Sequence, residues 1–170
     1  MTDLHTPFFN PIKIPEASLP KYIEGYKLPV TLKNSLTWEY FSNKMDESQY
    51  YWVNTVNKFN EPHSVPVWGI WFENRLLCDG SPKTKWVRNM IKNPKVVVHI
   101  PSPTEVCMVE GKTRIIDDDE LTKEMWDILD SVFRKKYGQL FGSPYIMVEP
   151  SKVLAWDTPT LERMTIWQFP

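Results

Sequence analysis

The sequence predicts a mainly β fold, in which an antiparallel barrel carries helices on its outside. Bulky and β-branched residues recur in short runs, which is typical of strands. Tight turns join most successive runs, so hairpins are favoured over the crossovers of a parallel sheet. Aromatic residues make up 14% of the chain, including 8 Trp. This content suits a large aromatic core or the wall of a planar-ligand site.

The first 30 residues are expected to form an irregular arm. Five prolines between positions 7 and 29 would interrupt helix interiors and sheet ladders. The remaining residues, 31–170, are assigned to one barrel domain, since a chain of 170 residues can bury a core of its own.

Seven strands are predicted in that domain. They are Tyr50–Asn57, His63–Phe72, Leu76–Asp79, Lys95–Ile100, Glu105–Ile116, a run from about Tyr145 to Trp156 broken near Pro150, and Arg163–Phe169. Asn60 and Asn74 occupy turns where a tight hairpin needs positive φ, which asparagine tolerates well. Gly111 indicates a bulge in the fifth strand.

Three helices are predicted between the strands. The first runs from Leu32 to about Asp46, with Asn34 or Ser35 as its N-cap. The second has Ser81 as N-cap, Pro82 as first residue, and an end near Lys92. The third follows the acidic run 117–120 and stops at Gly138. That run is interpreted as an acidic helix start rather than a metal site.

Composition and motifs exclude several classes of protein. A net charge of −1 does not suit nucleic-acid binding. The 2 Cys form no CxxC pair, and no apolar run resembles a signal peptide or membrane span, so a cytoplasmic protein without membrane partners is expected. GxGxxG, Walker A, HExxH and GxSxG motifs are absent. With 3 His in the chain, no catalytic set or metal site is identified, which favours chemistry supplied by a cofactor.

Two segments could contact such a cofactor. In DGSPKTKWVRN, residues 79–89, a helix start carrying Ser81, Thr84 and Lys85 could seat a phosphate, although a capped helix with a solvated basic face is the commoner explanation. In the second strand Pro66 removes a ladder donor, and Trp68 or Trp71 could wall a planar ring. By pattern alone, a core strand beside a barrel mouth is the commoner explanation.

Five segments together resemble a known family in their order and spacing. They are YYWVNTVNKFNEPHSVPVWGIWFENRLL (50–77), GSPKTKWVRNMIKNPKVVVHI (80–100), VCMVEGKTRII (106–116), VLAW (153–156) and TIWQF (165–169). Over about residues 35–169 the chain resembles the pyridoxamine 5′-phosphate oxidase-like, FMN-binding split-barrel family. The resemblance implies a six-stranded antiparallel split barrel that forms a homodimer, with the flavin at the subunit interface.

The resemblance also implies a set of cofactor-binding residues. Those expected beside the flavin ring are Val65, Pro66, Val67 and Trp68, and those expected at the phosphate are Ser81, Thr84, Lys85, Trp86 and Asn89. Trp86 replaces a lysine that many members have, and Ile166 replaces an arginine, so two charge-assisted contacts are lost. Trp167 corresponds to an aromatic residue that a partner subunit presses toward the ring.

The function implied is that of an FMN-dependent oxidoreductase acting on a small molecule. Because of the missing cations, a deazaflavin coenzyme remains an alternative cofactor. Haem is another, with His63 or His99 as the iron ligand. A dimeric scaffold without a cofactor is a further alternative. The sequence provides few basic residues to grip a pyridoxal phosphate, so oxidation of vitamin B6 is not favoured.

Overall fold

The computed structural model describes residues 7–140, 142–157 and 160–170. Its strands are β1 (Ala17–Ser18), β2 (Tyr51–Val56), β3 (Pro62–Val67), β4 (Ile70–Phe72), β5 (Arg75–Asp79), β6 (Lys95–His99), β7 (Glu105–Ile116), β8 (Tyr145–Asp157) and β9 (Thr165–Gln168). Its helices are α1 (Trp38–Glu47), α2 (Lys85–Lys92) and α3 (Lys123–Tyr137), with 3-10 turns at Leu32–Asn34, Asp118–Glu120 and Leu161–Arg163.

All strand pairs are antiparallel, and β8 organises the sheet. The order is β1-β9-β8-β7-β6-β2-β3, with β5 added to β8 and β4 to β5. One half of β8 pairs with β5 and the other half with β9, while β7 runs along its whole length. Beyond β8 the sheet therefore splits into two branches, one continuing through β5 and the other through β9. The predicted fold, a mainly β split barrel with peripheral helices, is confirmed.

The predicted second strand, 63–72, is two strands in the structure. The ladder between β2 and β3 ends at Val67, and β4 starts at Ile70 and pairs with β5. Gly69 lies at the change of partner, and a Cβ there would be 2.8 Å from the Leu77 carbonyl oxygen. Its N–H is bonded to the Tyr137 hydroxyl rather than to a strand. The break allows the chain to leave one side of the barrel for the other.

The long strands differ from the prediction in two details. β8 does not break at Pro150 but continues to Asp157. A bulge is present beside Gly111, but it is on β8 rather than on the predicted fifth strand, since Gly111 is opposite Pro150 and Glu110 is opposite Lys152. Ser151 is thus the extra residue, and its hydroxyl donates to the Glu110 carbonyl at 2.9 Å. The irregularity is absorbed within a continuous ladder.

The tight turns follow the sequence, whereas two helix starts do not. Asn60 and Asn74 both have φ of 63°, and Gly138 ends α3 with φ of 72°. The N-cap of α1 is Thr37, whose hydroxyl accepts from the Tyr40 N–H, and not Asn34 or Ser35.

The second helix also starts later than predicted. The N-cap of α2 is Thr84 rather than Ser81, because residues 81–84 form a turn closed by the Thr84 N–H on the Ser81 carbonyl at 2.9 Å. The last strand starts at Thr165 rather than Arg163, since the 3-10 turn at Leu161–Arg163 precedes it.

The acidic run forms a 3-10 turn of its own just before α3 rather than the first turn of that helix. Asp117 and Glu120 form a capping box around the 3-10 turn, and Thr122 caps α3. Among the described residues, no three His, Cys, Asp or Glu side chains are grouped as metal ligands would be.

Two apolar clusters form the core. One fills the barrel interior and includes Phe41 and Trp167, and the other lies between α3 and the sheet and includes Phe133 and Tyr145. Among the residues described, none of the helices is long and apolar enough to cross a membrane.

The arm is attached to the barrel at two places. Between residues 7 and 30 its only regular element is β1, which pairs with β9. Farther toward the N-terminus, the Phe8 and Phe9 N–H groups donate to the Glu73 carboxylate at 2.9 and 3.0 Å. Arg75, only 3% exposed, donates to the Asn10 and Glu73 carbonyls and to the Glu149 carboxylate. The predicted arm, 1–30, is therefore tied down where the structure describes it; residues 1–6 lie outside the described residues.

Candidate functional site

A cleft of about 430 Å³ opens where β3, β5 and the ends of α2 and α3 meet. Its lining residues are Pro66, Val67, Trp68, Asp79, Gly80, Trp86, Gln139 and Leu140. Four of these, Pro66, Val67, Trp68 and Trp86, are residues that the sequence placed beside a cofactor. We call this space the Trp68 cleft.

One wall of the cleft is an aromatic stack. The Trp68 ring, 38% exposed, stacks on Tyr137 with centroids 5.0 Å apart and planes at 12°. The Tyr137 hydroxyl donates to the Gly69 carbonyl at 2.7 Å and accepts from its N–H at 2.9 Å. Burial raises the pKa of Tyr137 to about 12, so the phenol stays protonated. Helix α3 thereby fixes the position of Trp68 and of the backbone that follows it.

Pro66 lies beside this wall on β3, which is an edge strand of the described sheet. Proline has no N–H to donate, and on an edge strand this costs no hydrogen bond to a further strand. Val67 is buried, and Val65 packs against the barrel interior rather than lining the cleft. The strand therefore offers the cleft its last two residues, Pro66 and Val67, and Trp68, which follows it, supplies the exposed ring.

Trp86 also lines the cleft; it is 6% exposed, and its ring packs against Gly80. A Cβ at Gly80 would lie 2.5 Å from Cζ2 of Trp86, so only glycine allows this approach. Trp86 stands where a lysine was expected from the resemblance. An indole rather than an ammonium group thus closes this side of the cleft.

The other residues assigned to phosphate lie outside the cleft lining, at the start of α2. Ser81 and Lys85 are exposed and Thr84 is half-buried. The Thr84 hydroxyl donates to the Ser81 carbonyl at 2.8 Å, and the Ser81 hydroxyl accepts from the Lys83 N–H. The free N–H groups of the first helical turn and the Lys85 ammonium make this end of α2 positive. An anion can be held here, beside but not inside the cleft.

Asn89 is turned away from that position. It is 6% exposed, and its side-chain amide donates to the Thr55 hydroxyl at 3.0 Å. This bond joins α2 to β2 inside the barrel. The side chain implied by the resemblance as a phosphate ligand is instead engaged in the core, because residue 89 shares the buried face of α2 with Trp86 and Met90.

Trp167 also differs from what the resemblance implied. It is 2% exposed, packed edge-on against Trp38 at 5.6 Å and tilted over Phe41 at 6.1 Å. Its indole is held in the core of its own subunit. Alternation along β9 leaves Ile166 and Gln168 as the side chains that face outward.

The two histidines considered as haem ligands are on separate strands. His63 is on β3 and His99 on β6, on either side of β2. Nδ1 of His99 lies 3.0 Å from the Ile100 carbonyl. Neither residue lines the Trp68 cleft.

Sequence reasoning missed two residues at the site. Asp79 was assigned only to a strand end, yet its half-buried carboxyl lines the cleft, and burial raises its pKa above the ordinary value. Tyr137 was recognised only as the end of a helix. Nothing local marks either role, since Trp68 and Tyr137 are brought together by the fold from distant parts of the chain.

An antiparallel barrel divided along β8, with a cleft beside its edge strand β3, defines a split-barrel protein. The family model described as Pyridoxamine 5′-phosphate oxidase matches residues 39–165. The chain therefore belongs to the pyridoxamine 5′-phosphate oxidase-like family. No curated protein matches the sequence.

Solved structures show the same fold at low sequence identity. A putative pyridoxamine 5′-phosphate oxidase from Listeria innocua is 16% identical with a TM-score of 0.54, covering 69% of this chain and 98% of that one. An FAD-binding protein from Mesorhizobium loti is 15% identical with a TM-score of 0.58, covering 78% and 95%. A pyridoxamine 5′-phosphate oxidase-related, FMN-binding protein from Nostoc punctiforme is 11% identical with a TM-score of 0.52, covering 74% and 82%.

Proposed function

We propose that the chain binds FMN with the flavin ring in the Trp68 cleft and works as an oxidoreductase on a small organic molecule. The observation that carries this proposal is the cleft itself. Its walls are Trp68, held by Tyr137, and Trp86, held against Gly80. Two rigid indoles and the Pro66 backbone suit a flat, largely apolar ring.

The residues present fit a flavin in part. The ring walls are in place, and the start of α2 offers Ser81, Thr84 and Lys85 to a phosphate. Asn89 and Trp86 contribute nothing to phosphate binding, so the phosphate would be held at an exposed helix end by few charges. We therefore expect modest affinity, to which the ring contributes more than the phosphate. Solved relatives described as FAD-binding or FMN-binding support a flavin in general.

In this proposal the bound flavin supplies hydride or electron transfer at its ring. The chain's own residues bind and orient it. Trp68 and Trp86 shield the ring from water where they line the cleft, and the neutral Tyr137 phenol keeps the Trp68–Gly69 backbone in place. The family resemblance and the exposed apolar surface of the arm support a homodimer. The exposed residues are Tyr22, Ile23, Tyr26, Val30 and Leu32.

Titration of FMN and of riboflavin, followed by flavin fluorescence, tests the ring and phosphate contacts separately. Trp68→Ala should weaken both flavins about two- to tenfold, as expected for loss of one aromatic contact. Lys85→Ala should lower the affinity for FMN about three- to tenfold and leave the affinity for riboflavin unchanged, because only FMN carries the phosphate.

Two matched substitutions serve as controls for these variants. Phe59→Ala removes an aromatic ring that is 69% exposed in the β2–β3 turn, and Lys92→Ala removes a lysine at the other end of α2. Neither should change either affinity. Equal flavin affinities for wild type and Trp68→Ala would contradict the proposal that the flavin ring binds in this cleft. Including a deazaflavin coenzyme and haem in the same titrations compares the alternative cofactors.

The homodimer is tested by light scattering at micromolar concentration. A dimer that dissociates when Tyr22 and Tyr26 are replaced by Ser would support an interface that includes the arm. A monomer at that concentration would contradict a site shared between two subunits. The two cysteines, both free and buried, fit a protein of the reducing cytoplasm, which we include in the proposal.

A further inference from the structure

The Trp68 cleft contains a carboxylate to which the proposed function assigns no role. Among the described residues that line the cleft, Asp79 is the one with a charged side chain. It forms no ion pair with any described residue, and burial raises the pKa of its carboxyl group. A partly desolvated carboxylate without a cation is costly, and in a cleft it indicates a functional role.

The groups around Asp79 add no positive charge. Across the β5–β8 ladder Asp79 is opposite Tyr145, so the two side chains share a face of the sheet. The Tyr145 hydroxyl is fully buried and lies beside the carboxylate of Asp130 on α3. Burial, Asp130 on α3 and Asp79 raise the pKa of Tyr145, which keeps the phenol neutral. On β5 itself the neighbouring Cys78 thiol is buried, and its pKa is also raised.

Helix α3 ends at the cleft and makes it more negative. Gln139 and Leu140, which line the cleft, follow directly after this helix, whose last carbonyl groups carry the negative end of its dipole. Three cations lie in its last turn. Arg134 and Lys135 are exposed to solvent, and Lys136 donates to the Asp46 carbonyl and the Tyr51 hydroxyl instead.

We propose that the cleft recognises its substrate through a nitrogen that is cationic or carries N–H groups, and that Asp79 accepts the hydrogen bond. A carboxylate or phosphate group placed at Asp79 would be repelled. The anion-binding end of α2 lies outside the lining, so a flavin phosphate there does not conflict with this. The inference rests on the proposed function in one respect, namely that the Trp68 cleft is the active site.

Isosteric planar probes of opposite charge test the proposal. Benzamidine, a cation with N–H donors, and benzoate, an anion, are titrated into the full-length protein while Trp fluorescence is recorded. Wild type should bind benzamidine at least about tenfold more tightly than benzoate, as one charge-assisted hydrogen bond allows. Asp79→Asn should remove the preference. The control, Asp127→Asn, changes an aspartate of α3 whose side chain is 64% exposed, and should keep it.

A pH series on wild type provides a second measurement that needs no variant. Benzamidine affinity should fall as pH decreases through the pKa of Asp79, and the loss should begin at higher pH than for an ordinary aspartate. Equal binding of the two probes, or a preference that survives in Asp79→Asn, would overturn the proposal.

FMN titration of the same proteins separates this proposal from the proposed function. If the protein binds FMN but does not prefer benzamidine, only the proposed substrate class is contradicted. If the preference depends on Asp79 but the protein does not bind FMN, only the proposed flavin binding is contradicted.

Discussion

Substitution of Gly80 by alanine perturbs the fold and the cleft through one added methyl group. The new Cβ would lie 2.5 Å from Cζ2 of Trp86 and 2.8 Å from Cδ1 of Ile146. The shorter separation is about 0.9 Å less than the 3.4 Å at which ordinary contact begins. Ile146 is fully buried and Trp86 is 6% exposed, so the contact is relieved mainly by a shift of Trp86 toward the cleft that it lines.

The expected cost of Gly80→Ala follows from this crowding. Overpacking of a closed core typically costs about 1–3 kcal/mol. In a chain of this length each kcal/mol lowers Tm by about 2–4 °C, so the variant should unfold roughly 2–12 °C below wild type. Since relief requires Trp86 to shift, FMN and riboflavin should both bind more weakly. Thermal unfolding by circular dichroism and the two flavin titrations measure these effects.

Gly142→Ala is the matched control for this experiment. A Cβ at Gly142 meets no atom within 4 Å, and its φ is outside the left-handed region. Its effect should stay below about 1 kcal/mol, and flavin binding should not change. If Gly80→Ala unfolded at the wild-type temperature and bound flavin normally, the packing of Trp86 on Gly80 described above would be wrong.

Two further predictions concern charges outside the cleft. Arg75→Met should lower the free energy of unfolding, measured by urea titration, by about 2–4 kcal/mol, because three acceptors lose a buried donor. The control, Arg114→Met, removes an exposed ion pair and should lower it by under about 1 kcal/mol. Burial lowers the pKa of Lys136 to about 8 in the folded protein, so the unfolded chain binds this proton more tightly. The buried charge therefore reduces the free energy of unfolding. This reduction is complete below pH 8 and disappears as pH rises toward 10.5. Lys136→Met should therefore be more stable than wild type at pH 7, with a gap that shrinks as pH rises; the exposed Lys135→Met should show no such gap, and a constant gap for Lys136→Met would contradict the reasoning.

The features predicted well from the sequence are those with local causes. Asn60, Asn74 and Gly138 each adopt positive φ, as their residue types and positions in turns or at a helix end indicate. The start of α2 was ambiguous, because Ser81-Pro82 and Thr84 are both acceptable caps. The turn closed by the Thr84 N–H on Ser81 decides between them.

The site was predictable in its strand and not in its helix. Pro66 and Trp68 were found because a proline within a strand and an aromatic residue beside it are visible in the sequence. Asn89 was assigned to phosphate although it lies three residues from Trp86, on the same face, which the structure buries. Asp79 and Tyr137 could not be found, because their roles depend on contacts between β5, β8 and α3 that no local pattern encodes.

The visible absorption spectrum of the purified protein, before and after addition of FMN, tests the central claim most directly. A flavin spectrum in the purified protein, or a perturbed flavin spectrum on addition that saturates at one FMN per chain and weakens in Trp68→Ala, is the predicted result. A colourless protein that leaves the spectrum of added FMN unchanged would contradict the claim that the Trp68 cleft holds a flavin.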